Sequence, residues 1–508
     1  MPIKSLAVAL ILIAAPVRAE APLSAIDWLS QSLVTPVALP APSEPAVTKG
    51  ATPEGVTTST LDQSSPDAIG ILPPQVTGLP RNLWGLGPTA DIASLLARQS
   101  AQDLPALQGL LITLLLAEAD APADAGKTGN LLLARIDKLL SIGALDQARA
   151  LLDAAGPATS AELFRRYFDV SLLVGDEDRA CATLRNAPGL SPALPTRIFC
   201  LARAGDFDAA QLTLDTARAL GTVPPETAEL LARFMDPGLD DAGQTPPLPN
   251  PVTPLDLRIY EAIGEPLPTE TLPLAFAYAD LSDHAGWKAQ LAAAERLSRA
   301  GAVAPNLLLG LYTDQKPAAS GGVWDRVATF QKLDAAISAA DVTAVEQALP
   351  AAWSAMSQAE LEVPLAELYA DKLARMHLTG DAAETAFTIG LLSTDYRSAA
   401  PTPLPLTPRD AFLQGVTRGD LRGIDPTDTM ARAIATAFLA PEIPPEIQSL
   451  LDQNRTGEAI LTAMEHIGHG TAGDLRGVTD GLSTLRRIGL EDVARRTALQ
   501  LMLLDRRG

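Results

Sequence analysis

Histidine, cysteine and aromatic side chains are all scarce in this chain. Four histidines and two cysteines in 508 residues leave few ligands for a zinc or iron–sulfur centre, which needs about four Cys or His side chains close together. His466 and His469 stand three apart beside Glu465, a spacing that one helix face could use for a metal. Gly468 and Gly470 fray that helix end and no third ligand lies near, so a polar helix end explains the pair better. Aromatic residues make up only 4% of the chain, and Leu and Ala must therefore fill its core. That balance favours helices, because Ala and Leu are the best helix formers whereas β-rich proteins lean on aromatic and branched residues.

Catalytic signatures are missing as well. No G-x-S-x-G, H-E-x-x-H, phosphate-loop or calcium-loop pattern occurs. Gly85-x-Gly87-x-x-Ala90 has the spacing of a dinucleotide loop, but no strand precedes it and Pro88 interrupts it. The sequence points to no catalytic residue, no cofactor and no metal. A carboxylate pair assembled from distant positions is beyond what a sequence displays.

Long apolar runs are lacking. Leu104–Ala119 is broken by Pro105, Gln108 and Gly109. Leu6–Ala15 spans 10 residues, too few to cross a bilayer, which takes about 20. With Lys4 before it and the small-x-small site Val17-Arg18-Ala19 behind it, residues 1–19 read as a cleavable secretory signal. No cysteine follows that site to carry a lipid. The mature chain is expected in the periplasm, with no transmembrane segment after cleavage.

Basic residues are in deficit: 39 Lys and Arg stand against 60 Asp and Glu. Removing Lys4 and Arg18 leaves 37 − 60, a net charge of −23. Such a surface repels nucleic acid and anionic headgroups, so the expected partner is a protein or peptide.

What the chain does have is repetition. The phrase G-x-x-D-x-A-x-x-x-L occurs as Gly143-Asp146-Ala148-Leu152, Gly175-Asp178-Ala180-Leu184 and Gly205-Asp208-Ala210-Leu214, its glycines 32 and 30 residues apart. An apolar helical run precedes each copy. Glycine suits the left-handed C-cap that ends a helix. Aspartate three residues on complements the dipole of the next helix. Ala and Leu four apart share one face of that helix, the Ala letting the paired helices approach. The period is that of an α-solenoid, and the expected fold is all-α: helix–turn–helix repeats behind a disordered N-terminal arm.

The phrase resembles the turn and second helix of a tetratricopeptide repeat, with Ala155, Ala187 and Ala217 at the further small position. The first helices lack that family's Leu-Gly pair and paired aromatic. The resemblance covers residues 131–221, with one more copy at Gly489-Asp492-Ala494 whose partner helix is 474–488. It implies a superhelix that binds peptides along the face of its first helices. Carried over position by position, that face holds Asn130, Leu133, Asp137, Glu162, Arg165, Asp169, Pro192, Pro195 and Phe199. Arg165, a fork-shaped donor in an acidic protein, and Phe199, an uncommon aromatic, are the chosen contacts, with Asp169 beside Arg165. Phe199 has a competing role as core.

Cys181 follows a motif alanine in the second helix of unit two, and Cys200 lies in the first helix of unit three. Those helices neighbour one another in a solenoid. An exported compartment is oxidising, so a disulfide is expected, the alternative being two buried thiols.

Residues 20–78 are rich in Pro, Ser, Thr and Ala and are expected to be a disordered arm. Within it, Ser24–Leu33 carries Ile26, Leu29 and Leu33 at helical spacing beside Trp28. A tryptophan in such an arm calls for a surface to bury it, and Trp28 and Leu29 are the proposed anchors, on a partner or on the chain's own solenoid, the alternative being a fragment of helix left near the cleavage site. The apolar stretch 69–87 is expected to lie over the first helices. Beyond the arm, an N-terminal helical block (79–235), a Pro-rich linker (236–254), a middle block (255–400) and a C-terminal block (401–508) follow. The last helix is placed to cap the array. Together these features point to an exported interaction scaffold, adaptor or chaperone of a cell-envelope assembly. The alternative is a cell-envelope enzyme or enzyme subunit acting on cell wall.

Overall fold

The computed structural model describes residues 65–100, 104–191, 193–236, 248–398 and 407–504. Among these residues the chain is all-helical, its one β-type pairing a lone parallel bridge between Leu72 and Ala117. We number helices of eight residues or more α1–α22. Residues 1–19, expected to be a signal, and most of the expected arm, with Trp28 and Leu29, lie outside the described residues.

Residues 65–78, assigned to the arm on composition, instead pack on the helical body. Asp67 is buried, and its Oδ1 accepts from the Leu132 amide at 2.8 Å at the start of α3 (Asn130–Ser141). The Arg135 guanidinium, also in α3 and 1% exposed, donates to the carbonyls of Leu115 (2.7 Å), Ala117 (2.9 Å) and Ile69 (2.7 Å). Burial pushes Arg135 down to about 10, with Asp67 opposing. One cation thus satisfies backbone acceptors of two segments that have no ladder of their own. The segment was read as arm because its Pro and Ser content hides this long-range anchor.

The repeats form as their phrase dictates. α3 pairs with α4 (Leu145–Ala155), α5 (Ala161–Val174) with α6 (Glu177–Asn186), and α7 (Leu194–Arg203) with α8 (Phe207–Leu220). Gly143, Gly175 and Gly205 take φ of 75°, 78° and 81°, a conformation costly for any residue bearing a Cβ. Ala148, Ala180, Ala210, Leu152, Leu184 and Leu214 are all buried. Cys181 and Cys200 are disulfide-bonded across α6 and α7, with Cα atoms 5.1 Å apart.

α9 (Pro225–Met235) extends the stack. α10 (Pro254–Ala262) then turns back onto α5, where Arg258 donates to the carbonyls of Leu172 and Leu173 at the α5 end. A 3-10 segment, Leu274–Leu281, then lies against α3, α5 and α11 (Trp287–Arg299). A second core follows, built by α11, α12 (Pro305–Asp314), α13 (Val323–Ser338), α14 (Val342–Ser357), α15 (Glu362–Ala374) and α16 (Gly380–Leu392). Pro350 would ordinarily break a helix. α14 instead runs through it, because Val345, Leu349, Ala352 and Met356 bury along one side and outweigh the hydrogen bond that proline cannot donate.

The C-terminal block does not prolong the stack outward. α17 (Pro408–Arg418), α18 (Thr429–Leu439), α20 (Thr456–Thr471), α21 (Leu475–Arg487) and α22 (Glu491–Leu503) share one core with the N-terminal helices, while α19 (Pro445–Asp452) packs on α20. α20 lies on α1 (Thr89–Arg98), and α22 on α2 (Pro105–Leu116). The Gln99 amide donates to the Leu461 carbonyl at 3.1 Å, and Gln500 Oε1 accepts from the Ala106 amide at 2.8 Å, an orphan donor at the α2 start. Gly85-x-Gly87 is a close-approach sequence here: a Cβ on Gly85 would strike the Asn454 carbonyl, and one on Gly87 the Glu458 carboxylate. Gly457 in turn leaves room for the buried Trp84 ring, and its amide donates to Leu83 at 2.7 Å. The last helix is therefore no terminal cap. α22 touches α2, α16, α17, α18 and α21, and the two ends of the solenoid meet.

Candidate interaction surface

The face expected to meet a partner is built by α3, α5 and α7. Ser160 caps α5 by accepting from the Leu163 amide at 3.2 Å, and Gly175 ends the helix in the left-handed region. Of two adjacent arginines in α5, one faces in. Arg166 is the inward one. Its guanidinium forks onto both Asp137 oxygens at 2.6 and 2.7 Å and reaches Glu162 at 3.0 Å. Burial lowers its pKa and the Asp137 and Glu162 carboxylates more than restore it. Arg166 thus bolts α3 to α5.

Arg165 points out. Its side chain is 64% exposed, with Glu162 3.8 Å away. Asp169, one turn on and partly buried, is pushed up to about 6. Desolvation is the main cause, the Arg165 and Arg166 charges pull against it, and Asp137 adds to it. Asn130, Asp137 and Glu162 are exposed on the same face, with Leu133 and Pro195 half-buried, while Pro192 lies outside the described residues. The result is a mixed-charge surface with one outward guanidinium and one carboxyl that titrates near neutrality.

Phe199 is not part of it. At 1% exposure it stacks on Phe234 of α9 at 5.2 Å between ring centres and meets Phe168 of α5 edge-on at 6.2 Å. Those rings hold α5, α7 and α9 side by side, so the competing core role is the correct one. Its mapped position faces inward, onto the rings of α5 and α9.

No family model, curated protein or solved structure matches the chain.

The surface is therefore read on its own geometry. Sequence reasoning missed Arg166 and Arg135. The signal for Arg166 was Glu162 four residues before it, a helical ion-pair spacing, but nothing local announced Asp137. Among the described residues no group of three or more His, Cys, Asp or Glu is arranged to hold a metal. His466 and His469 sit on the last turns of α20, with His466 Nδ1 buried and His469 exposed. Nor is any described helix long and apolar enough to cross a membrane.

Proposed function

We propose that this protein is an exported interaction scaffold, adaptor or chaperone in a cell-envelope assembly, working in the periplasm. The observation that carries the reading is the outward Arg165 with Asp169 on the shared face of α3 and α5, where Arg166 has already satisfied Asp137 and Glu162. An exposed guanidinium offers a fork-shaped contact to a carboxylate of a partner peptide. The leader-like residues 1–19 and the Cys181–Cys200 bond support an oxidising, exported location. The Trp28 segment adds a second contact point at the end of a long arm.

The test is capture from a periplasmic extract of the native host, using the mature chain, Arg165→Glu and Trp28→Ala. Loss of the same partner in both variants supports the reading. A partner retained by both removes these contacts, and a purified chain that turns over cell wall would replace the reading with an enzymatic one.

A further inference from the structure

Among the described residues six large apolar side chains are conspicuously exposed, and three of them, Phe207, Leu212 and Leu220, belong to α8. Ala210, Leu214 and Ala217 of that helix bury inward. Leu212 at 70% exposure lies on the opposite side, and Leu220 at 69% is the last residue of the helix, about two turns on. The outer side continues at Gly221 into a recess of about 610 Å³ walled by Arg218, Val223, Pro224, Pro225 and Ala228. Its chemistry is selective: two pyrrolidine rings, a valine, and a guanidinium held by the Ala228 carbonyl at 3.0 Å. A flat aromatic with one polar edge suits such walls, through ring contact and the cation–π attraction of Arg218.

The chain carries such a group on a tether. The described structure begins at Ser65, whose hydroxyl donates to the Gly126 carbonyl at 2.8 Å, with Pro66 packed against Gly129 just before α3. Each helix pair starts and ends on the same edge of the stack. The beginning of α3 and the turn from α8 to α9 therefore share that edge, three steps apart along α3, α5, α7 and α9. At 8–10 Å between packed helices, three steps span roughly 24–30 Å. Between Leu33 and Ser65 lie 31 residues of Pro, Ser, Thr and Ala composition. As a coil these reach about 5–6 Å × √n, or about 30 Å. Effective concentration is highest when tether and span match, in the millimolar range for a flexible linker. Ser24–Leu33 holds a single charged residue, Asp27, next to Trp28, and Arg218, which also lies 3.8 Å from Asp215 of its own helix, is the cation of the recess.

We infer that Ser24–Leu33 docks in cis on the outer side of α8, with the Trp28 indole in the α8–α9 recess and Leu29 and Leu33 over Leu212 and Leu220. The segment thereby covers the apolar side of α8 until a partner takes it. The docking itself needs no partner and is tested on the isolated chain, so it can fail without the proposed function failing.

The experiment uses the full mature chain carrying Trp28→p-benzoylphenylalanine, irradiated at low and high protein concentration and mapped by peptide mass spectrometry. The expected result is a cross-link within one chain to residues 212–228, its yield independent of concentration. Introducing Leu220→Glu, an exposed site that leaves the core intact, should lower that yield at least tenfold. Hydrogen exchange at residues 24–33 should be slowed in the parent and return to the rate of an unstructured peptide in Leu220→Glu. A cross-link mapping elsewhere, a cross-linked dimer, no cross-link at all, or protection unaffected by Leu220→Glu would each overturn the inference.

Discussion

Gly457→Ala offers a test in which the sign of the effect decides. On an open helix, replacing glycine by alanine stabilises by about 1 kcal/mol, because glycine loses more backbone freedom on folding. Gly457 lies in the first turn of α20, and its φ is not left-handed, so only space distinguishes the two residues. Here a Cβ would sit inside the van der Waals envelope of Trp84 Cε3 and Cζ3 and 3.2 Å from the Leu83 carbonyl oxygen. Trp84 is 1% exposed and has nowhere to retreat. Overpacking of this kind costs about 1–3 kcal/mol, which exceeds the propensity gain. Gly457→Ala should therefore lower the urea midpoint, whereas Trp84→Ala alone should cost about 3–5 kcal/mol through the cavity it leaves. In the Trp84→Ala background the obstruction is gone, and Gly457→Ala should become neutral or stabilising. The coupling from the double-mutant cycle falls in the range of about 0.5–3 kcal/mol found for residues in contact. Circular dichroism against urea on the four proteins measures it. A stabilising Gly457→Ala in the parent, or additive effects within about 0.5 kcal/mol, would show that Trp84 does not sit on α20 and that the closure is misread.

Replacing Cys181 and Cys200 together by serine should cost about 3 kcal/mol by the chain-entropy account of a loop this short, read as a fall in the urea midpoint that dithiothreitol no longer deepens. Asp169 is raised above its ordinary value in the folded chain, so the folded state holds the proton more tightly. Its contribution must weaken as pH rises from the ordinary carboxylate range through about 6. Asp169→Asn should remove that slope, with higher relative stability at pH 7, measured by denaturation across pH 4–7. In the middle block, Arg326 forks onto the buried Glu295 at 2.8 and 2.7 Å, and Tyr312 donates to the same carboxylate at 2.6 Å. Arg326→Ala should cost about 3–5 kcal/mol by stranding that charge, while Arg326→Lys should recover only part because it lacks the fork; thermal melts of the three proteins decide.

The repeat phrase was legible because its physics is local. A positive-φ glycine, an acidic first turn and a small residue facing a partner helix all act within about ten residues, and Gly143, Gly175 and Gly205 behave as that logic requires. The disulfide was legible for a related reason: adjacent units place successive helices side by side, which brought Cys181 to Cys200. What depended on distant partners was hidden. Trp84 meets Gly457, and Gln99 meets Leu461, across more than three hundred residues, and no periodicity encodes such a meeting. The direction of Arg165 against Arg166 turned on the rotation of α5, which Asp137 of another helix helps set. Phe199 misled because aromatic character marks binding anchors and core equally, and only the Phe168 and Phe234 rings distinguish them. Pro350 is likewise a breaker overruled by the burial around it.

The meeting of the two ends is measured most directly as a distance. Spin labels at Ala97 on α1 and His469 on α20, both exposed, report on helices that lie against one another in the closed form, where the Arg98 and Glu465 side chains approach to 3.7 Å. The closed body predicts a narrow, short distribution, set by about 10 Å between helix axes plus the label arms. An open array of some eleven stacked pairs would place the labels on the order of 100 Å apart at that same spacing, and a distribution lacking the short component would contradict the closure.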